Sequence, residues 1–139
     1  MYITIENATD EFKHKSEPIQ SLINQALVIL HTLGIPFAGL SIRRLERMAM
    51  AFLAVADVKS PQEWPLLKDA NDNRSLRTRD IITYINQYFN EHISSGLYDD
   101  IRRKDLALLV AANIVTNTIS HSARNNTKSY GHSRKVLLS

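Results

Sequence analysis

Apolar residues at Ile19, Leu22, Ile23, Ala26, Leu27, Leu30 and Leu33 recur at helical spacing. Pro18 fits the first turn of that helix, where its missing N–H costs nothing. Gly34 and Pro36 stop it. A second helix is predicted from Ser41, a good N-cap. Its stripe is Ile42, Leu45, Met48, Ala49, Phe52, Leu53 and Ala56, with Arg43, Arg44 and Arg47 on other faces. Pro61, Pro65 and the run Asn71, Asp72, Asn73 predict a surface loop between Lys59 and Asn73, pinned by Trp64. A third helix, Thr78 to Phe89, buries Ile81, Ile82, Ile85, Tyr88 and Phe89. Thr78 is expected to cap it, and Asp80 suits the positive end of its dipole. Residues 90–96 form a turn, and a fourth helix follows from Leu97 to about Ala112. Asn113 is placed where a helix end tolerates left-handed geometry. Val115–Ile119 and Thr127–Tyr130 are β-capable runs flanking a turn-like Ser122–Asn126. Residues 1–17 are polar and aperiodic apart from Tyr2, Ile3 and Ile5, and are expected to form a flexible arm.

This order predicts a mainly α fold: a winged helix-turn-helix with two preceding helices and a short C-terminal β-hairpin wing. The divisions expected are an arm at 1–17 and a winged-helix domain at 18–133. Within the domain, 18–58 is helical support, 74–112 the helix-turn-helix and 114–132 the wing. Residues 134–139 are a tail.

Composition narrows the function. The 139 residues are 44% hydrophobic and 22% charged, ordinary for a globular chain. There is no cysteine, which excludes disulfides, thiol catalysis and cysteine-bound zinc. The N-terminus lacks a basic stretch followed by an apolar one, and no apolar run approaches a membrane span, so a cytoplasmic protein is expected. The net charge of +3 is unevenly spread. Residues 1–73 carry 7 basic and 9 acidic side chains, whereas 74–139 carry 10 and 5, with no acid after Asp105. A basic second half points to a polyanion partner.

The fourth helix is the candidate reader of that partner. At 100° per residue Leu97, Tyr98, Ile101, Leu108, Leu109 and Ala112 share a sector about 120° wide, which faces the core. Asp99, Asp100, Arg103, Lys104 and Ala107 lie opposite, and such a front can enter a major groove. Arg103 is the first choice for a bidentate contact to guanine, and Lys104 for phosphate. Ser94 or Ser95 can cap the helix and present donors to phosphate. Asp99 or Asp100 could accept from cytosine N4, although acids in a first turn commonly just complement the dipole. Asp105 falls inside the apolar sector, where an ion needs a partner. Arg102, Arg77 or Arg79 are the candidates, making Asp105 a clamp between the third and fourth helices. Arg74, Arg77 and Arg79 gather at a helix start, where they oppose the dipole and are expected to hold phosphates. Arg124, Asn125, Asn126 and Lys128 would sit at the wing tip, to touch DNA or to remain a solvated hairpin.

Catalytic signals are missing from the pattern. Glycine-rich phosphate loops are absent, and His14, His31, His92, His121 and His132 show no metal spacing. His31 reads as a surface or boundary side chain. Glu11-Phe12-Lys13 matches the short E-x-K of metal-dependent nucleases, but without the strand pattern or second carboxylate that magnesium needs.

Three longer blocks carry a family resemblance. Residues 43–58, from Arg43-Arg44-Leu45-Glu46-Arg47 to Ala56-Asp57-Val58, resemble the N-terminal domain of the BsuBI/PstI family of type II restriction endonucleases. So do Arg74-Ser75-Leu76-Arg77-Thr78-Arg79-Asp80-Ile81-Ile82 and the block 93–106, Ile93-Ser94-Ser95-Gly96-Leu97-Tyr98-Asp99-Asp100-Ile101-Arg102-Arg103-Lys104-Asp105-Leu106. Thr127–Ser133 resembles the family's wing return, with Ser129 where glycine is expected. The resemblance implies a winged-helix domain that recognises double-stranded DNA for restriction–modification defence. It also implies a separate C-terminal nuclease domain requiring magnesium, and a homodimer on a palindromic site. The nuclease domain is expected to be absent from these 139 residues, so no catalytic, metal or cofactor-binding residue is carried over. Alternatives are a stand-alone winged-helix transcription regulator, a protein-interaction winged helix, and a small nuclease using Glu11 and Lys13.

Overall fold

The structure, a computed structural model, describes residues 2–66, 76–112, 115–119 and 128–132, with backbone only at 66, 116–119 and 128–132. Four helices come first: α1 (Asp10–Lys13), α2 (Glu17–Thr32), α3 (Ile42–Ala56) and, after a 3₁₀ turn at Pro61–Leu66, α4 (Thr78–Tyr88). A composite helical run at 95–111 follows. Strands β1 (Leu76–Arg77), β2 (Val115–Ile119) and β3 (Lys128–His132) form one antiparallel sheet in the order β1-β3-β2. Val115 faces His132 and Ile119 faces Lys128 across β2 and β3, while Leu76 faces Tyr130 across β1 and β3. The second β-capable run thus extends to His132, and the sheet has a third strand just before α4 that no periodicity marks. Two residues are too few to show an alternation.

Local chemistry sets the helix ends, at Ser41 and Gly34 as expected. The Ser16 hydroxyl accepts from the Ile19 amide and the Ser41 hydroxyl from the Arg44 amide. α2 stops at Gly34, whose φ of 106° lets Ile35 N–H reach back to the Leu30 carbonyl at 3.1 Å. α3 stops at Asp57 in left-handed geometry (φ 59°), with Val58 N–H on the Leu53 carbonyl. At α4 the expected cap is displaced by one residue. Arg77 holds the N-cap position and Thr78 is the first, buried, helical residue. Asp80 accepts from the Arg77 backbone N–H at 2.9 Å, satisfying the donor that the N-cap leaves open.

α3 is the centre of the fold. α2, α4, the composite helix and β3 all pack on it. Every residue from Leu45 to Ala56 except Arg47 is buried, including Glu46. The expected one-sided stripe is therefore a helix enclosed on nearly all sides. Glu46, Met50, Ala51, Ala54 and Val55, all outside that stripe, are buried as well; Ala51 and Ala54 show how small side chains let other elements close on faces that carry little apolar weight. Trp64 pins the loop after α3, as its isolation predicts. Its ring stacks on Phe52 at 6.2 Å, and its Nε1–H donates to Gln25 Oε1.

The N-terminal segment is not a loose arm. Ile3, Phe12 and Lys15 are buried. The buried Asn24 side chain accepts from Ile3 N–H and donates to Ile3 C=O, doing for one residue what a strand partner would do. Tyr2 closes the edge with its hydroxyl 2.8 Å from His31 Nδ1 and its ring against Phe37. The polarity of this stretch hid its few apolar anchors.

Candidate nucleic-acid interface

α4 and the composite helix form a helix-turn-helix, and its turn is held from three directions. Asn90 turns the chain at φ 54°. Asn86 brackets Ile93, donating to its carbonyl and accepting from its amide at 2.9 and 2.8 Å. From below, the buried Lys15 ammonium donates to the carbonyls of Phe89 and Asn90 and to Glu91 Oε2. All three of its protons are satisfied at the negative end of α4. Arg43 grips Glu91 in a fork, Nη1 and Nη2 lying 2.9 and 2.7 Å from its two oxygens, and also holds Glu46. Burial works to raise the Glu91 carboxyl, but Arg43 and Lys15 outweigh it and leave it below the usual carboxylate range.

The composite helix changes pitch along its length: a 3₁₀ turn at Ser95–Leu97, one α turn at Tyr98–Asp100, a π segment at Ile101–Leu106 and α again at Ala107–Ala111. The uniform α reading placed Leu106 outside the core sector, yet it is fully buried together with Ile101 and Leu109. The π segment accounts for this. Its i→i+5 bonding brings residues five apart onto one face, whereas an α-helix separates them by about 140°.

Asp105 is buried, as its sector predicts, but its partner is not Arg102, Arg77 or Arg79. Arg44 of α3 holds it, Nη1 to Oδ1 at 2.8 Å, so the clamp joins the composite helix to the central helix and not to α4. Arg44 also reaches Asp100 at 3.0 Å, with Arg47 at 3.3 Å and Lys104 at 3.0 Å on the same carboxylate. Asp105 Oδ2 has no hydrogen-bond partner among the described residues. Burial pushes the Asp105 carboxyl up to about 6 against the pull of Arg44. The same pairs, with Asp100 added, outweigh burial at Arg44 and hold its guanidinium charged. The arginine has two carboxylates to the aspartate's one, so its charge is the secure one.

Seven of the expected contact residues have described side chains, Arg77, Arg79, Ser94, Ser95, Asp99, Arg103 and Lys104, and all seven are exposed. The Arg103 side chain is 71% exposed and Lys104 60%. Asp99 lies between Arg102 at 2.9 Å and Arg103 at 3.5 Å. Ser94 and Ser95 are exposed at the helix start, where Ser94 holds the N-cap position without a side-chain cap hydrogen bond. Arg79 is exposed and lines, with Thr83, Ser95 and Tyr98, a groove of about 650 Å³ between α4 and the composite helix. Arg77 is half-exposed and leans on Asp80 at 3.2 Å. Lys128 opens β3, its side chain outside the described residues, where Arg74, Asn113, Arg124, Asn125 and Asn126 also lie. Sequence reading left Arg44 and Arg47 without a role and placed Tyr98 in the core-facing sector, whereas Tyr98 is 41% exposed and lines the groove. The signal available was the five-residue spacing of Asp100 and Asp105, which no α-helix places on one side.

Among the described residues no group of three or more histidine, aspartate or glutamate side chains could hold a metal ion. Glu11-Phe12-Lys13 lies in α1, with Phe12 in the core. No described helix is long and apolar enough to cross a membrane. Compared with known families, residues 20–137 match the model of the BsuBI/PstI restriction endonuclease HTH domain. No curated protein and no solved structure matches the chain.

Proposed function

The chain belongs to the family of BsuBI/PstI restriction endonuclease HTH domains, and from that premise we propose that it recognises a specific double-stranded DNA sequence through the outer face of the composite helix. An HTH domain of this family is a DNA-binding module of restriction systems. The observation that carries the finer reading is the division of this helix. Ile101, Asp105, Leu106 and Leu109 are sealed into the fold, while Arg103 and Lys104 project from the opposite side. Arg103 is the base reader, by a bidentate pair to guanine. Lys104, Arg77, Arg79, Ser94 and Ser95 hold phosphates and set the register. Asp99, placed between Arg102 and Arg103, orients the reader in preference to accepting from cytosine. The strand pair β2 and β3 is the wing on this reading. Arg74, Arg124 and Lys128 join the interface on charge alone, with Asn126 as a neutral hydrogen-bonding group beside them. A homodimer on a palindromic site follows if the domain serves an enzyme that cuts both strands. Cleavage then belongs to a separate magnesium-dependent nuclease part.

The test is a selection from a randomised duplex pool with the full chain, followed by titration on selected and random duplexes. Arg103→Ala should lose about 1–3 kcal/mol of preference for the selected sequence and much less on random duplex. Equal loss on both would reassign Arg103 to a phosphate. Binding should weaken linearly in log affinity against log salt. A flat salt response would favour a protein partner on this face.

A further inference from the structure

We propose that Arg44 and Arg47, which lie on α3 and not on the reading face, are specificity-determining residues of this domain. By holding Asp100 and Asp105 together they fix the π register of the composite helix, and that register aims Arg103 and Lys104. The proposal rests on the reading of the composite helix as the DNA reader.

Two independent pairs mark the register. Asp100 and Asp105 are five residues apart and meet the two Nη atoms of one guanidinium, Arg44, at 3.0 and 2.8 Å. Ile101 and Leu106, also five apart, are both buried in the core. An α-helix would swing one member of each pair away by about 140°. Only a widened turn satisfies both, and the segment between them is π. A π turn gives up regular α bonding, so something outside the helix must favour it. The forked arginine is that something, because its planar donors match two carboxylates at fixed spacing. Arg47 backs it by sharing Asp100 at 3.3 Å. Arg103 and Lys104 lie within the π segment, between the two clamped carboxylates. Reverting 101–106 to α would rotate those side chains relative to the rest of the molecule without touching their chemistry. Lys104 is tied in directly through Asp100 at 3.0 Å.

The experiment uses the full chain and duplexes selected by the wild type from a randomised pool. Arg44→Gln keeps a polar side chain and removes the fork; Asp100→Asn is milder and covers the case in which Arg44→Gln does not fold. Arg44→Lys is the conservative control. The expected result is that Arg44→Gln and Asp100→Asn lose about tenfold or more of the selected-over-random preference. They should also exchange the amide protons of 101–106 faster, and Arg44→Lys should regain part of both. A merely structural role would lower stability and leave the preference of the folded fraction intact. Folded variants that keep the wild-type preference, while Arg103→Ala loses it, would overturn the positioning role and leave the base-reading helix standing. Retention of the preference by Arg103→Ala would overturn the reading itself, and the positioning role with it.

Discussion

Asp105 shows how a single carboxyl can be costly and still useful. One oxygen meets Arg44 and the other has no hydrogen-bond partner among the described residues. Burial therefore pushes its pKa up to about 6, against about 3.9 in an unfolded chain. Between these values the folded state binds the extra proton. The contribution of this group to stability is therefore present at low pH and is lost as pH rises from about 4 to about 6. Glu91, Asp100 and Asp80 have the opposite sign. Their carboxyls are lowered, so their contributions hold at neutral pH and are lost under acid. Asp105→Asn should remove the first slope alone. In urea denaturation its stability should gain on the wild type as pH rises from 4 to 6 and hold level above that. Parallel curves would mean that Asp105 stays ionised throughout. Arg44 as its partner was not legible in the sequence, because a pair 61 residues apart leaves no local spacing. Its need for a partner was legible, from an acid inside an apolar sector.

At the scale of elements, the helices whose ends are written in side chains were the ones placed best. Ser41 and Gly34 each act alone and locally, so their meaning survives any tertiary context. Gly34→Ala tests this directly. A Cβ there would meet nothing within 4 Å, so only the φ of 106° penalises it. The substitution should cost about 1–3 kcal/mol, read as a lower thermal midpoint. No change would show that the α2 terminus relaxes. Where pitch itself varies, the sequence misled. A uniform 100° period hid the π segment, and with it the burial of Leu106. β1 was hidden for another reason: its two residues pair with β3 from more than fifty positions away.

For the molecule as a whole, the N-terminal segment is a structural part of the helix-turn-helix. Lys15 caps the end of α4, Thr9 donates to Glu46 on α3 at 2.6 Å, and Ile3 and Phe12 lie in the core. Removing residues 1–16 would strand Glu91 with Arg43 alone and expose the apolar floor beneath α2. Breaking a buried charge pair costs about 3–5 kcal/mol, and each lost apolar anchor adds about 1.5–3 kcal/mol. A chain of 17–139 should therefore unfold at a much lower temperature and bind random duplex weakly. An unchanged thermal midpoint would restore the loose arm. The sequence by itself determined what local chemistry decides: helix caps and stops, the basic second half, and the outward Arg103 and Lys104. The order of the elements pointed to the helix-turn-helix, and the blocks shared with the family tied it to restriction endonucleases. Tertiary structure alone decided which helix is central, which arginines meet which carboxylates, and the pitch of the composite helix. Those outcomes depend on partners dozens of residues apart, whose meeting is set by packing and not by period.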